Sequence, residues 1–244
     1  MRFKIMFFLA GALSLAALPG RAATPPDQKT LETVLQQINV AAANFHSTSA
    51  DFEFDSVETD PVPDKDVQKG TVYYQRTGAS FQTAAHFKED NGRPSPKIYT
   101  YSKGIFKLYE IGINQVTTFS KAGKFESYLM LGFGASGKDL ADKFDIKYLG
   151  TEALNDGKAS VKTEKLEMVP KDADLRKTLP KVTIWVDPDR AISLKQVLEL
   201  GSGSYKVNVY FNIKTNVALS PDEFTFKTDK QTVFTNKYCL RAHV

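Results

Sequence analysis

Residues 132–137 read Gly-Phe-Gly-Ala-Ser-Gly, a literal G-x-G-x-x-G with Lys138 beside it. Glycines at that spacing cradle a diphosphate when a buried strand delivers them to a helix N-terminus inside a βαβ unit, with an acid about 20 residues on. Here the preceding residues have a helical pattern, so a flexible turn between helices is the reading that fits. The three histidines, His46, His86 and His243, form no H-E-x-x-H, and only His243 lies near the one cysteine, Cys239. That excludes the usual zinc hydrolase signature and leaves Cys239 as an inert residue. Asp51, Glu53 and Asp55 alternate along one strand and could in principle hold calcium, yet no glycine-bearing acidic loop surrounds them, so a solvated outer face is expected. G-x-S-x-G is absent as well. The sequence predicts no catalytic residues, no metal and no cofactor.

What remains is apolar and aromatic: 17 Phe, 10 Tyr and Trp185. Most must be core. A domain wrapped around one helix needs only one apolar face per strand, however, and aromatics fall on both faces at Tyr73 and Tyr74 and at Phe106 and Tyr109. Such a surplus hints at a hydrophobic surface reserved for a ligand.

The elements that would position it follow from periodicity. Arg2 and Lys4, an apolar stretch over residues 5–18 and small residues ending at Ala22 have the order of a secretory signal, cleaved after Ala22, so residues 1–22 are expected to leave and 23–244 to form the mature domain. The stretch is shorter than the ~20 residues that span a bilayer. Leu31, Val34, Leu35, Ile38, Ala42 and Phe45 then recur at helical steps, and from residue 51 the period changes to two. Strands are expected around 51–55, 71–76, 97–103, 104–111, 115–120, 145–149, 159–169, 182–186, 192–200 and 205–211. Asn91-Gly92 is one of the turns between them. Short helices suit 125–131 and 136–144, the second with Ser136 as N-cap and Asp139 completing a capping box. A disordered patch is expected near 59–69. The fold class is mainly β with α, a single unclosed antiparallel barrel or curved sheet.

Charge and cysteine usage narrow the function. The precursor's net +4 falls to +1 once Arg2, Lys4 and Arg21 leave with no acid, which removes the support for nucleic-acid binding. With one cysteine there is no intramolecular disulfide, and stability must come from an ordinary core.

Several stretches, in order, resemble the outer-membrane lipoprotein carrier LolA family. Gly70-Thr71-Val72-Tyr73-Tyr74-Gln75-Arg76 is similar to that family's G-x-L-x-x-x-R-P strand, Asn114-Gln115-Val116 to its x-Q-V, and Leu166-Glu167-Met168-Val169-Pro170-Lys171 to its L-x-L-x-P-K. The run Val182-Thr183-Ile184-Trp185-Val186-Asp187 and the segments 203–211 and 219–226 resemble its closing pattern. Thr77 departs from it, standing where proline commonly follows the arginine.

The resemblance implies an unclosed barrel with lid helices over its concave side. It also implies a soluble, monomeric periplasmic carrier taking lipid-modified proteins from an inner-membrane ABC transporter to an outer-membrane acceptor. The lid would be Leu31, Leu35 and Ile38. Strand alternation assigns Val72, Tyr74, Phe106, Leu108, Trp185, Val207 and Val209 to the cavity. Arg76, alternating with Val72 and Tyr74, would either latch onto lid backbone carbonyls or end an exposed strand. Within the same fold, a carrier or sensor of another envelope lipid is the alternative. A different class is an envelope interaction module like the RseB relatives, which carry an additional domain.

Overall fold

The computed structural model describes residues 30–78, 80–120 and 131–237. The expected export segment 1–22, most of the expected helix 125–131, Cys239 and His243 lie outside them. Helix α1 (Leu31–Ala43) begins where the Thr30 hydroxyl accepts the Thr33 N–H and buries Val34, Ile38 and Ala42, a single stripe at four-residue steps. Six strands follow: β1 (Ser47–Glu58), β2 (Asp64–Thr77), β3 (Ser80–Asp90), β4 (Arg93–Ser102), β5 (Ile105–Glu110) and β6 (Gln115–Ser120). Then come α2 (Gly137–Lys143), β7 (Phe144–Asn155), β8 (Ser160–Pro170), α3 (Ala173–Thr178), β9 (Lys181–Asp187), β10 (Ile192–Glu199), β11 (Tyr205–Thr215) and β12 (Val233–Lys237).

Local chemistry explains the boundaries. Asn91 and Gly92, both at positive φ, make a two-residue hairpin loop between Asp90 and Arg93, the geometry whose twist matches that of the flanking strands. The Ser136 hydroxyl accepts the Asp139 N–H at 3.0 Å while the Asp139 carboxylate accepts the Ser136 N–H at 3.2 Å, closing the capping box expected for α2. The segment 59–69 differs from expectation. From Asp64 on it is strand, because Lys65 and Lys69 meet Asp55 and Glu53 across β1 at 2.8 and 3.0 Å, so its charge is paired along a ladder.

All twelve strands form one sheet in the order β12-β6-β5-β4-β3-β2-β1-β11-β10-β9-β8-β7, antiparallel throughout except that β12 runs parallel to β6. The ends do not meet. Tyr99 on β4 and Gln196 on β10 nevertheless line one small cavity. Five strand spacings separate them, roughly 24 Å in a flat sheet, so the sheet curls and has a concave face.

That face carries two cores. Under α1 and α2, Leu166, Met168, Val182, Ile184 and Val186 of β8 and β9 pack with Val34, Ile38, Ala42 and Leu140. Toward the other half lies an aromatic cluster that includes Phe45, Phe52, Tyr74, Phe81, Phe87, Tyr101 and Tyr210. On the outer face, Asp51 accepts from Thr71 and Asn212, in keeping with the expected polar surface. Part of that face is covered: Tyr109 stacks on Phe226 at 5.0 Å, and His86 Nε2 lies 2.9 Å from the Glu223 carbonyl. Burial and the Glu223 carboxylate push the Tyr73 phenol up to about 12. The outward aromatics Tyr73 and Tyr109 are therefore accounted for by a C-terminal strap and not by a ligand surface.

Arg190 ties two turns together, meeting Asp187 at 2.5 Å and Asp156 at 3.2 Å. Burial pushes the Asp156 carboxyl up, but the N–H groups of Ala159 and Lys158 and the Arg190 guanidinium outweigh it and hold the group below its ordinary 3.8. A lowered folded-state value stabilises above the unfolded value and is lost as pH falls through the folded one. Urea midpoints taken from about pH 6 down to about pH 2 should therefore fall more steeply for the wild type than for Asp156→Asn. In the core, Ile184→Ala is expected to cost about 2–5 kcal/mol in the same denaturation experiment.

Candidate functional site

Between the concave sheet and the loop ahead of α2 lies a cavity of about 200 Å³, walled by Phe54, Val72, Tyr99, Phe106, Phe133 and Tyr210 with Gln196 and Asn208. A larger hollow of about 940 Å³ runs along the solvent side of α1, but Glu32, Gln36, Asp189 and Arg190 line it and it is open to water. The smaller one is the more enclosed and the more apolar of the two. Among the described residues no three His, Cys, Asp or Glu side chains gather as a metal site would require.

Rings build the cavity wall in a continuous run. Phe52 stacks on Phe54 at 4.0 Å, Phe87 meets Tyr99 at 5.0 Å, Tyr99 meets Phe106 at 5.4 Å, and Phe133 packs edge-on to Tyr210 at 5.0 Å. Rigid aromatic side chains lose little entropy on ordering and leave gaps between their edges, which suits a wall facing a variable apolar guest.

The segments that close the cavity are tied down through their backbone carbonyls. Arg76 Nη1 donates to the Ala42 carbonyl at 2.9 Å and Nη2 to the Gly134 carbonyl at 2.6 Å, while its guanidinium sits 6.0 Å over the Phe45 ring. One side chain on β2 thus holds the end of α1 and the loop before α2 at once. The glycines of 132–137 serve this closure. Gly134 takes φ +68 against the Phe45 ring, and a Cβ at Gly137 would collide with the Leu35 backbone. They are close-approach points of a lid, and no phosphate cradle is formed.

The expected site residues separate by face. Val72 and Tyr74 are buried in the aromatic cluster, and Phe106 packs against it. Leu108 pairs with Tyr99 and so shares the concave side. Leu31 and Ile38 pack on the core beneath α1, and half-buried Leu35 lies at the contact with Gly137. Trp185, Val207 and Val209 are corrected by the register: Trp185 pairs with Lys195, Lys195 with Val209, and Val209 with Glu53, all on the outer face, as is Val207 opposite Asp55. Trp185 is buried there because Lys165 and Lys195 lie 4.6 and 4.8 Å over its ring and Glu152 accepts its indole N–H at 2.7 Å. The inward row of β11 is Lys206, Asn208 and Tyr210, so on this strand the more polar row faces in and apolar alternation points outward. Gln196, Asn208 and Phe133 belong to the cavity although sequence reasoning missed them.

The chain matches no protein-family model and no curated protein sequence. Among solved structures it is similar to MucB, at 13% sequence identity and a TM-score of 0.51 over 83% of this chain, and it spans 65% of MucB's length. MucB is also solved as the Pseudomonas aeruginosa MucA/MucB complex. A conserved protein of Thermus thermophilus is similar at 10% identity with a TM-score of 0.50, covering 84% of this chain and 98% of that one. NE2245, a LolA superfamily protein of Nitrosomonas europaea, has 14% identity and a TM-score of 0.41 over 81% of this chain and 98% of its own. At these identities the likeness is one of fold. The unclosed antiparallel sheet with a helix across its concave side is the architecture that the sequence resemblance implied.

If Arg76 holds the lid, Arg76→Leu should speed amide exchange through the last turn of α1 and leave β8 to β10 protected. Hydrogen bonds from a charged donor each contribute about 1.5–3 kcal/mol, so a local rise of roughly tenfold or more is expected by exchange mass spectrometry. Unchanged protection in α1 would show that packing alone closes the cavity.

Proposed function

We propose that the protein binds the acyl chains of lipid-modified proteins in the cavity beneath its lid and carries them through the aqueous periplasm. The observation that carries this reading is an aromatic-walled hollow on a concave sheet, closed by a helix and a loop that a single arginine pins. An acyl chain in water costs ~0.8 kcal/mol per CH₂, so about three chains of some fifteen CH₂ each amount to roughly 35 kcal/mol, too much for unaided diffusion between membranes.

The cavity at about 200 Å³ is the closed form. Water occupies about 30 Å³ per molecule, so the hollow has room for roughly seven, less than one long chain needs. Loading therefore requires the lid to lift and the Arg76 bonds to break. Membranes solvate acyl chains as well as any cavity does, so the carrier must bind moderately, and direction must come from an energy-coupled donor and an acceptor. An inner-membrane ABC transporter and an outer-membrane acceptor are what the LolA resemblance supplies for those roles. Such work needs no catalytic group. No helix among the described residues is long and apolar enough to cross a membrane.

A second reading is favoured by the MucB likeness: an envelope interaction module that binds a protein, MucB itself being solved in complex with MucA. The two readings are separated by purifying the full chain from its own envelope and identifying what accompanies it by mass spectrometry. Acylated peptides support the carrier, free lipids a carrier or sensor of another lipid, and an unmodified protein the interaction module. A cavity-filling variant sharpens the test. Ala85→Phe should displace at least two methylenes of cargo, about 1.6 kcal/mol, and lower affinity for an acylated peptide more than tenfold without shifting the urea midpoint appreciably.

A further inference from the structure

We propose that the cavity recognises the carbonyl oxygen at the head of an acyl chain through the side-chain amide of Gln196. This inference rests on the acyl-binding reading above and names the chemistry of its ligand. Gln196 is 4% exposed and lies on the concave face of β10, between Ile184 of β9 and Asn208 of β11. Its Oε1 accepts the Asn208 amide at 3.2 Å, whereas its Nε2 has no partner among the described residues.

A buried donor left unmade costs about 1–3 kcal/mol, and such groups are rare enough in native proteins that each needs a reason. Leucine in its place would carry no such cost, as Leu198 two residues on shows by lining the same cavity. The orphan donor is also approachable. Gly132 stands against it, and a Cβ there would lie 3.0 Å from Nε2, so the glycine leaves room that any other residue would fill. The neighbouring Thr83 hydroxyl is already engaged, donating to the Tyr73 carbonyl at 2.8 Å.

An N–H donor inside an aromatic wall selects a ligand that is apolar along its length and carries one acceptor. The sp² oxygen of an ester- or amide-linked acyl chain has that form. A free carboxylate offers the same acceptor, but bringing its charge into this wall costs far more than a neutral carbonyl does. A site built around a hydrogen bond also disfavours the analogue that lacks it, so plain hydrocarbon should gain less here than its greater hydrophobicity would give it in a purely apolar site.

The test uses the mature chain and three probes of similar length, methyl octanoate, octanoate and n-decane, each displacing a fluorescent apolar dye. The ratio of the affinities for methyl octanoate and n-decane should be roughly threefold to tenfold higher in the wild type than in Gln196→Leu, which should bind n-decane at least as well. The side-chain ¹⁵N–H₂ signals of Gln196 in the unmutated protein should move downfield with the ester and stay put with the alkane, a readout that does not depend on the variant folding. A ratio that Gln196→Leu leaves unchanged overturns the proposal and leaves the apolar cavity standing. Octanoate outcompeting the ester overturns the choice of a neutral carbonyl. Displacement by none of the three would remove the acyl-binding reading, and this inference with it.

Discussion

A sheet of twelve strands spans roughly 53 Å across, whereas a helix of thirteen residues is roughly 20 Å long. One helix cannot cover so wide an apolar face, and the sheet answers by curling until its own rows approach one another. Under α1 the gap closes completely, with Ile184, Leu166 and Met168 at 1% exposure or less. Beyond the helix the described rows meet largely through aromatic side chains, some stacked and some edge-on, and leave a hollow between them. The cavity is thus the part of the concave face that α1 does not reach.

That incompleteness explains why the closure relies on main-chain atoms as well as on the Phe133 and Phe45 rings. Side-chain packing would seal the hollow permanently, since apolar surfaces once buried have no cheap route back to water. Two hydrogen bonds from Arg76 to the Ala42 and Gly134 carbonyls are directional and are lost over a short displacement. Guanidinium and carbonyls can all be rehydrated when they part, so opening has a moderate cost. At three points of the same loop, Gly132, Gly134 and Gly137, the backbone lies against Gln196, Phe45 and Leu35, while Phe133 between them packs into the cavity wall.

Much of this was legible in the residues. The four-residue stripe of α1, the capping box of α2, the Asn91-Gly92 hairpin and most strand positions follow from local periodicity and turn chemistry, which tertiary context did not override. The inward face was harder to read. On β2, Val72 and Tyr74 face in and the rule that the apolar row faces the core holds; on β11 it fails, because the inward row is lysine, asparagine and tyrosine. Trp185 misled for a related reason, since two lysine stems bury an outward ring as thoroughly as a core would. The strand start at Asp64 left a signal that composition hid: Lys69 lies directly across from Glu53 and Lys65 diagonally from Asp55, opposite charges matched along a paired ladder. The C-terminal strap and the parallel β12 join residues too far apart for a local pattern to reveal them.

The central seam of the sheet bears on how the chain reaches this state. β1 finds one partner, β2, across a short turn, but its other partner is β11, and the Thr48 hydroxyl donates to the carbonyl of Lys214, 166 residues further on. The halves β1 to β6 and β7 to β11 can each assemble as a meander of near neighbours, while the seam between them waits until almost the whole chain is present. Loop closure over such a distance slows the step that joins them. Until then the edges of β1 and β11 are unpaired and the concave face is open along its middle, so the nascent protein passes through a stage at which it is itself a chain with exposed grease and free strand edges.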